Sequence, residues 1–393
     1  MNTGWTLRAG WLIDGTGGPV RRHIDVKING GRLVAIGPSP DDGGAMRDWE
    51  ATVDLRHATV IPGLIDCHVH LFMSATIDER RRQTQLTDDI DTVHDGIARR
   101  MERLLKCGVV AVRDGGDRHG YALSFVKDST RHGVTVRCAG TGWHAAGRYG
   151  RLIAKSPAVS LSESISRQGP RSDWVKIVNS GLNSLTEFAR QGAPQFPPEE
   201  LAAAVAAAGR AGRPVMVHAN GRQAVGDAIR AGCRSIEHGF FMGRRNLQRM
   251  AQRGVYWIPT AVTMQGLAMR VDAACADAGV CQRNLDHQIE QLTRARELGV
   301  KVAVGTDAGT AGVNHGPAVA DEMRLLAFAG FSLPQVVQCA TGAGAELLGL
   351  GDLGRLVAGA RATLIAVQGP PERLLDNIRR PLAICLDGRW QES

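Results

Sequence analysis

No apolar run in this 393-residue chain reaches the ~18–20 residues that a helix needs to span a bilayer. A helical membrane protein is therefore not expected. The start, Met1-Asn2-Thr3-Gly4-Trp5-Thr6, has no basic stretch leading into an apolar one, so a cytoplasmic location is expected. Cys-x-x-Cys pairs are also missing. The eight cysteines (Cys67, Cys107, Cys138, Cys233, Cys275, Cys281, Cys339 and Cys385) are scattered, which fits free buried thiols better than a disulfide framework or a zinc knuckle. There is no internal repeat and no low-complexity segment. No recognised nucleic-acid-binding motif accompanies the net charge of +8, and the arginines are interspersed with acids. A solvated surface accounts for that charge, with an acidic small substrate as the second reading.

The chain is long enough for one large α/β barrel or for two to three ordinary domains. Residues 1–59 read as short strands and turns, with a hairpin signal at Asn29-Gly30-Gly31 between two alternating runs. Residues 60–348 read as strands (60–71, 108–114, 134–140, 173–179, 213–219, 233–238, 255–260 and 300–307) alternating with helices. The clearest helix is 197–211, with proline and acids in its first turn and an alanine-rich body. Eight such alternations predict a (β/α)8 barrel. An open doubly wound sheet is the alternative, and the lack of a Gly-x-Gly-x-x-Gly turn after an early strand counts against it. Residues 349–393 return to strands. They are expected to join 1–59 in a small β-sandwich built from both termini.

The stretch Val60–Leu71 is nearly all apolar, as suits a strand buried on both faces, and it ends in His68-Val69-His70. Alternation along a strand sends both imidazoles to one side and Cys67 to the other. Read alone, His-x-His fits half of a metal site and a polar core equally well. Barrel chemistry sits at the C-terminal ends of the strands, where the remaining candidates also fall. The fourth strand carries Lys176 among apolar residues, the fifth ends in His218, the sixth in His238 and the eighth in Asp307.

This order of His-x-His, Lys, His, His and Asp resembles the amidohydrolase superfamily. It is most similar to the imidazolonepropionase-like branch that includes Xaa-Pro dipeptidases and Arg/Lys carboxypeptidases. Shared marks are Pro62-Gly63-Leu64-Ile65-Asp66-Cys67-His68-Val69-His70, Ser235-Ile236-Glu237-His238-Gly239 and Gly305-Thr306-Asp307-Ala308-Gly309. The resemblance runs from the N-terminal β module to Gly354–Gly359. In the binuclear members the matching lysine is carboxylated by CO2 and its carbamate bridges two metals, whereas imidazolonepropionases lack it. Lys176 thus implies the two-metal, dipeptidase-like group, although a lysine snorkelling from a strand end is the bland alternative. The implied cofactors are two divalent ions, zinc first among them. His68, His70 and Asp307 would hold the more buried ion, and His218 and His238 the more exposed one. A hydroxide between the metals would be the nucleophile and Asp307 the general acid/base.

Substrate contacts are read from the loops. His144, after the third strand, matches a histidine common in this branch and could bind the oxyanion; a plain loop histidine is the other reading. Arg148, Tyr149 and Arg151 follow in a long connection over the barrel mouth. An arginine there could grip a carboxylate or simply face water. Asn220 stands where relatives often carry tyrosine. His315 could touch substrate, support a ligand or lie at the surface. Trp143, Trp257 and Met264 would line the pocket if it is apolar. The expectation is a hydrolase of an amide-type bond in a small molecule (a dipeptide, N-acyl amino acid, cyclic amide or carbamate), assembled as a homo-oligomer, with no nucleic-acid or membrane partner. Deaminase, lactonase or phosphotriesterase chemistry would use the same site, and a non-catalytic scaffold is the rival of a different class.

Overall fold

Short strands with one largely buried face form the two ends of the chain. The computed structural model describes residues 4–39, 51–128, 133–168, 172–268 and 277–391. The first four strands are β1 (Trp5–Leu12), β2 (Arg21–Asn29), β3 (Arg32–Pro38) and β4 (Ala51–Pro62). The barrel region contributes β5 (Leu64–Val69), β6 (Val109–Asp114), β7 (Thr135–Cys138), β8 (Gly142–Trp143), β9 (Ala154–Lys155), β10 (Val175–Val178), β11 (Val215–Ala219), β12 (Ser235–His238) and β13 (Tyr256–Ile258). Three more close the chain: β14 (Leu364–Gln368), β15 (Ala383–Leu386) and β16 (Arg389–Trp390).

Both termini enter one seven-stranded sheet, in the order β16-β15-β14-β4-β1-β2-β3. The Asn29-Gly30-Gly31 hairpin forms as expected, with Asn29 opposite Arg32. The sheet's inward residues, among them Leu7, Val26, Val60, Leu364 and Cys385, share one apolar core. The run expected as a single strand over 60–71 is instead two. Ile61 and Pro62 pair with β14, and the chain then steps at Gly63 into the barrel, where Leu64 pairs with Val109.

The barrel strands pair in parallel, and β5, β6, β10, β11, β12 and β13 are buried at every residue. Between β7 and β10 the link is the carbonyl of Cys138, which accepts from the amides of Asp173 and Trp174 at 3.0 and 3.2 Å. The expected eighth strand, 300–307, makes only isolated bridges, at Val302 and Ala308. It still closes the barrel, bonding to Trp257 on one side and to Cys67, His68 and His70 on the other. At Gly305 its neighbours approach so closely that a Cβ would lie 2.3 Å from Ile258 and 3.0 Å from His68, and Asp307 leaves the extended conformation with a φ of +57°.

Helices pack around the barrel close to their predicted places: Ile90–Lys106, Tyr121–Asp128, Leu161–Gln168, Pro198–Arg210, Arg222–Ala231, Arg244–Arg253, Ala278–Glu297 and Pro317–Phe328. The helix Pro198–Arg210 buries Leu201, Ala204, Ala207 and Ala208, one stripe at helical spacing, and leaves Glu199 and Glu200 at its positive end. No helix among the described residues is long and apolar enough to cross a membrane. The seven described cysteines are buried and free; Cys275 lies outside the described residues.

Candidate active site

Five strand ends converge at the barrel's C-terminal mouth. Nε2 of His68 lies 3.2 Å from Nζ of Lys176 and 3.6 Å from Oδ1 of Asp307, while Nε2 of His70 lies 3.4 Å from the same oxygen. One ligand atom from each of His68, His70 and Asp307 falls within 4.8 Å of the other two. The rings of His218 and His238 are 4.6 Å apart, and that of His238 is 5.1 Å from His68. All six residues predicted as ligands are thus brought together, across a span from residue 68 to residue 307.

Each imidazole has one nitrogen already engaged. Nδ1 of His68 meets Glu237 at 2.6 Å, Nδ1 of His70 meets the Gly116 carbonyl at 2.8 Å, and Nδ1 of His238 meets Thr260 Oγ1 at 2.7 Å. His218 uses Nε2 on the Gly181 carbonyl at 3.1 Å. The opposite nitrogens of His68 and His70 face the Lys176 amine and the Asp307 carboxylate, within the cluster that would hold an ion. Burial, followed by the positive charge of Lys176, pushes His70 down to about 3 and His218 down to about 4. Burial also drives His68 and His238 well below the ordinary histidine value. All four are therefore neutral near pH 7, which is the ligating form. Burial pushes the Asp307 carboxyl up to about 6, against the pull of Lys176. It brings the Lys176 amine down to about 8, although Glu237 and Asp307 favour its charged form.

The backbone at this mouth is unusual. His238, Thr260 and Asp307 have φ values of +65°, +46° and +57° at the ends of the last three barrel segments. Non-glycine residues held in the left-handed region cost about 1–3 kcal/mol each and cluster at functional sites. At Gly115, just after β6, a Cβ would lie 2.8 Å from His70 Cε1 and 3.2 Å from His68 Nε2. Only glycine leaves the free faces of these two rings open. Neutral imidazoles, a carboxylate and this cleared space together fit a divalent ion.

The site opens into a cavity of about 540 Å³. His70, Lys176, His218, His238 and Asp307 form its polar end, and Met73, Leu152, Leu182, Leu185, Phe240, Met264 and Leu267 its apolar wall. Arg82, Arg148 and Arg151 stand around it with Tyr149 and Asn220. The Tyr149 ring packs 5.4 Å from that of His218. Arg148 already donates to the Ala193 carbonyl at 2.9 Å, and Arg82 to that of Thr76 at 3.3 Å. Asn220 accepts from the Phe240 amide at 3.0 Å, tying the loops after β11 and β12 together.

Two expected substrate contacts are not found. His144 does not line the cavity: its Nδ1 engages its neighbour's carbonyl on Ala145 at 2.8 Å, its Nε2 lies 3.5 Å from Ser156, and the Gly150 backbone packs against it. His315 is also off the wall. It is buried and donates to the His70 carbonyl at 3.3 Å, so it supports a ligand's backbone. Of the expected apolar lining, Met264 is present. Trp257 is buried and donates to the His238 carbonyl, and Trp143 reaches towards Gln168. Thr260, a weak candidate at the end of the seventh strand, supports His238, whereas Arg82, Gly115, Arg113 and the role of Glu237 were missed by sequence reasoning. Arg113 and Glu237 did carry a signal, since each is a charged residue within a buried barrel strand.

A parallel barrel with a buried His-His-Asp cluster at its mouth defines a metal-binding hydrolase, and residues 59–387 match the amidohydrolase family. The chain belongs to that family and acts on carbon–nitrogen bonds. It is 27% identical to the imidazolonepropionase of Maricaulis maris, over 93% of this chain and 92% of that one. It is 24% identical to the ochratoxinase of Aspergillus niger, over 78% of this chain and 69% of the relative. Among solved structures, a Xaa-Pro dipeptidase with methionine bound in its active site superposes with a TM-score of 0.83, at 27% identity and over 100% of both chains.

Proposed function

We propose that this enzyme uses two divalent metal ions to hydrolyse an amide bond in a small substrate that carries a carboxylate near the scissile carbonyl, such as a dipeptide or an N-acyl amino acid. The observation that carries this reading is Lys176, fully buried 3.2 Å from His68 and surrounded by four further ligand-type side chains at the base of the cavity. A buried amine among metal-binding imidazoles is costly as an ammonium. Its lowered pKa, about 8, raises the fraction of neutral amine at physiological pH. That amine can add to CO2 with loss of a proton and become an anionic carbamate, which would supply two oxygens as metal ligands.

His68, His70 and Asp307 would hold one ion, His218 and His238 the other, and the Lys176 carbamate would lie between them. When bound, such ions, zinc the first candidate, lower the pKa of water and polarise the scissile carbonyl. Asp307, with its carboxyl near pH 6, is suited to take a proton and return it to the leaving amine. Tyr149, packed on His218, stands where it can cover the reacting carbonyl. The apolar wall favours a bulky side chain or acyl group, and Arg82, Arg148 and Arg151 favour the anionic end.

The dipeptidase likeness supports a peptide-type substrate, and the arginine rim supports the carboxylate. The test is turnover of metal-loaded protein on dipeptides and N-acyl amino acids, each compared with its methyl ester or amide. Preference for the acids is the expected result. Equal or better kcat/KM for the uncharged partners across several scaffolds overturns the carboxylate, and turnover of lactones or phosphotriesters alone overturns the amide.

A further inference from the structure

Beneath His68 lies a fully buried ion pair that the ligand set does not include. Arg113 on β6 reaches across the barrel to Glu237 on β12, with Nη2 at 2.9 and 2.8 Å from the two carboxylate oxygens. Neither side chain has any solvent exposure. Arg113 also donates through Nε to the Cys67 carbonyl at 2.7 Å and through Nη1 to Ser235 Oγ at 2.9 Å. Its guanidinium lies over the Trp174 ring at 4.6 Å. Ser235 in turn donates to Glu237 at 2.5 Å, and the other carboxylate oxygen accepts Nδ1–H of His68 at 2.6 Å. Every nitrogen of Arg113 and both oxygens of Glu237 are thus engaged.

Stability alone does not explain this arrangement. A buried ion pair replaced by apolar residues of like volume is often neutral or stabilising, because two charges must otherwise be stripped of water. Here the pair grips residue 68 from two sides. Glu237 holds the ring and Arg113 holds the carbonyl of the preceding residue. Consecutive strand residues normally face opposite ways, yet Glu237 and His238 both approach His68; the positive φ of His238 breaks the alternation at the end of β12.

We infer that Glu237, held in place by Arg113, is the positioning residue that fixes the His68 tautomer and presents Nε2 to the metal centre. The inference rests on the metal centre proposed above. A carboxylate behind a ligating histidine locks the ring's orientation and raises its basicity, and losing such a partner typically weakens metal binding by about 10- to 100-fold. Glutamine at position 237 carries no charge, and with its oxygen on His68 its NH2 group is set against the Arg113 guanidinium and Ser235 Oγ, which in the wild type donate to the other carboxylate oxygen.

The test measures Zn²⁺ affinity by competition with a chromophoric chelator, together with kcat and KM. Three proteins are compared: wild type, Glu237→Gln, and the double variant Arg113→Met/Glu237→Leu, which removes both charges at similar volume. Expected is a roughly 10- to 100-fold weaker affinity in both variants, with kcat lowered more than KM is changed, while the metal-free double variant melts close to wild type. Wild-type affinity in Glu237→Gln overturns the inference, as does affinity restored in the double variant, since either would make the pair merely structural. A wild-type protein that takes up no metal overturns the proposed function instead.

Discussion

Nζ of Lys176 lies 3.2 Å from Nε2 of His68, and neither side chain is exposed to solvent. The pair spans the barrel interior, from its fourth strand to its first. An ammonium here faces four imidazoles that burial keeps neutral, with Asp307 as its nearby counter-charge. Carboxylation would turn this cation into an anion. Lys176→Met is therefore expected to lose metal, from two ions per chain in the wild type to one or none, while the metal-free variant melts no lower than wild type because a buried amine has been removed. Elemental analysis and thermal unfolding check both. Intact-mass measurement of the native protein should show one added CO2 that acid treatment removes.

Asp307 accepts from Thr310 Oγ1 at 3.1 Å and lies within 3.6 Å of both His68 and His70. Asp307→Asn keeps a carbonyl oxygen in place but cannot take up a proton. Its kcat should fall by about 10²–10⁴-fold with the fold intact. A folded variant with full metal content and near-normal kcat would remove Asp307 from the role of base.

Arg82, on the short helix Glu79–Thr84, and Arg148 and Arg151, in the connection between β8 and β9, surround the cavity. Among the described residues, Arg82 and Arg148 already donate to carbonyls, so Arg151 has the more available guanidinium. Arg151→Ala is expected to narrow the preference for an acid over its amide by about 1.5–3 kcal/mol, roughly 10- to 150-fold in kcat/KM. Arg148→Ala should do less. Unchanged discrimination in both, and in Arg82→Ala, would leave the apolar wall as the sole source of specificity.

Glu346 joins Lys301 at 2.6 Å and Arg355 at 3.3 Å, linking the helix Gly342–Leu348 to the eighth segment. The Lys301 hydrogen bond, then that of Tyr256, holds its carboxyl at about 2, below the ordinary 4.5. A carboxyl lowered on folding stabilises the protein above its unfolded pKa and ceases to do so as pH falls through the folded value. The contribution is thus present above pH 4.5 and lost toward pH 2. The pair is partly exposed, so its worth is at most about 1 kcal/mol. Lys301→Met should lower the melting temperature slightly at pH 7, and the gap to wild type should close as pH drops below 4.5 in a series of melts.

Much of the barrel can be read locally. Runs such as Val109–Val112 are apolar throughout because both faces of a barrel strand are covered, and the helix Pro198–Arg210 carries its start signal and its buried stripe in consecutive residues. His68, His70, Lys176, His218, His238 and Asp307 stand out for the same reason: Lys176 is a charge within such a run, and each of the others is polar near the end of one. The segment 300–307 reads as a strand by composition, yet it forms only isolated bridges, with close neighbours at Gly305 and a positive φ at Asp307. Backbone strain of that kind is imposed by neighbours from elsewhere in the chain and has no local pattern.

The sequence by itself determined the order of strands and helices, the polar residue at each strand end and the apolar character between them, since all of these follow from side-chain periodicity over a few residues. Only the tertiary structure decided which nitrogen of His68 faces the ligand cluster, because that depends on partners such as Glu237, 169 positions from His68. It also turned His144 and His315 away from the cavity and brought Arg82 to it. These outcomes depend on how the barrel closes and how its loops pack, and spacing along the chain does not encode distances across a closed barrel.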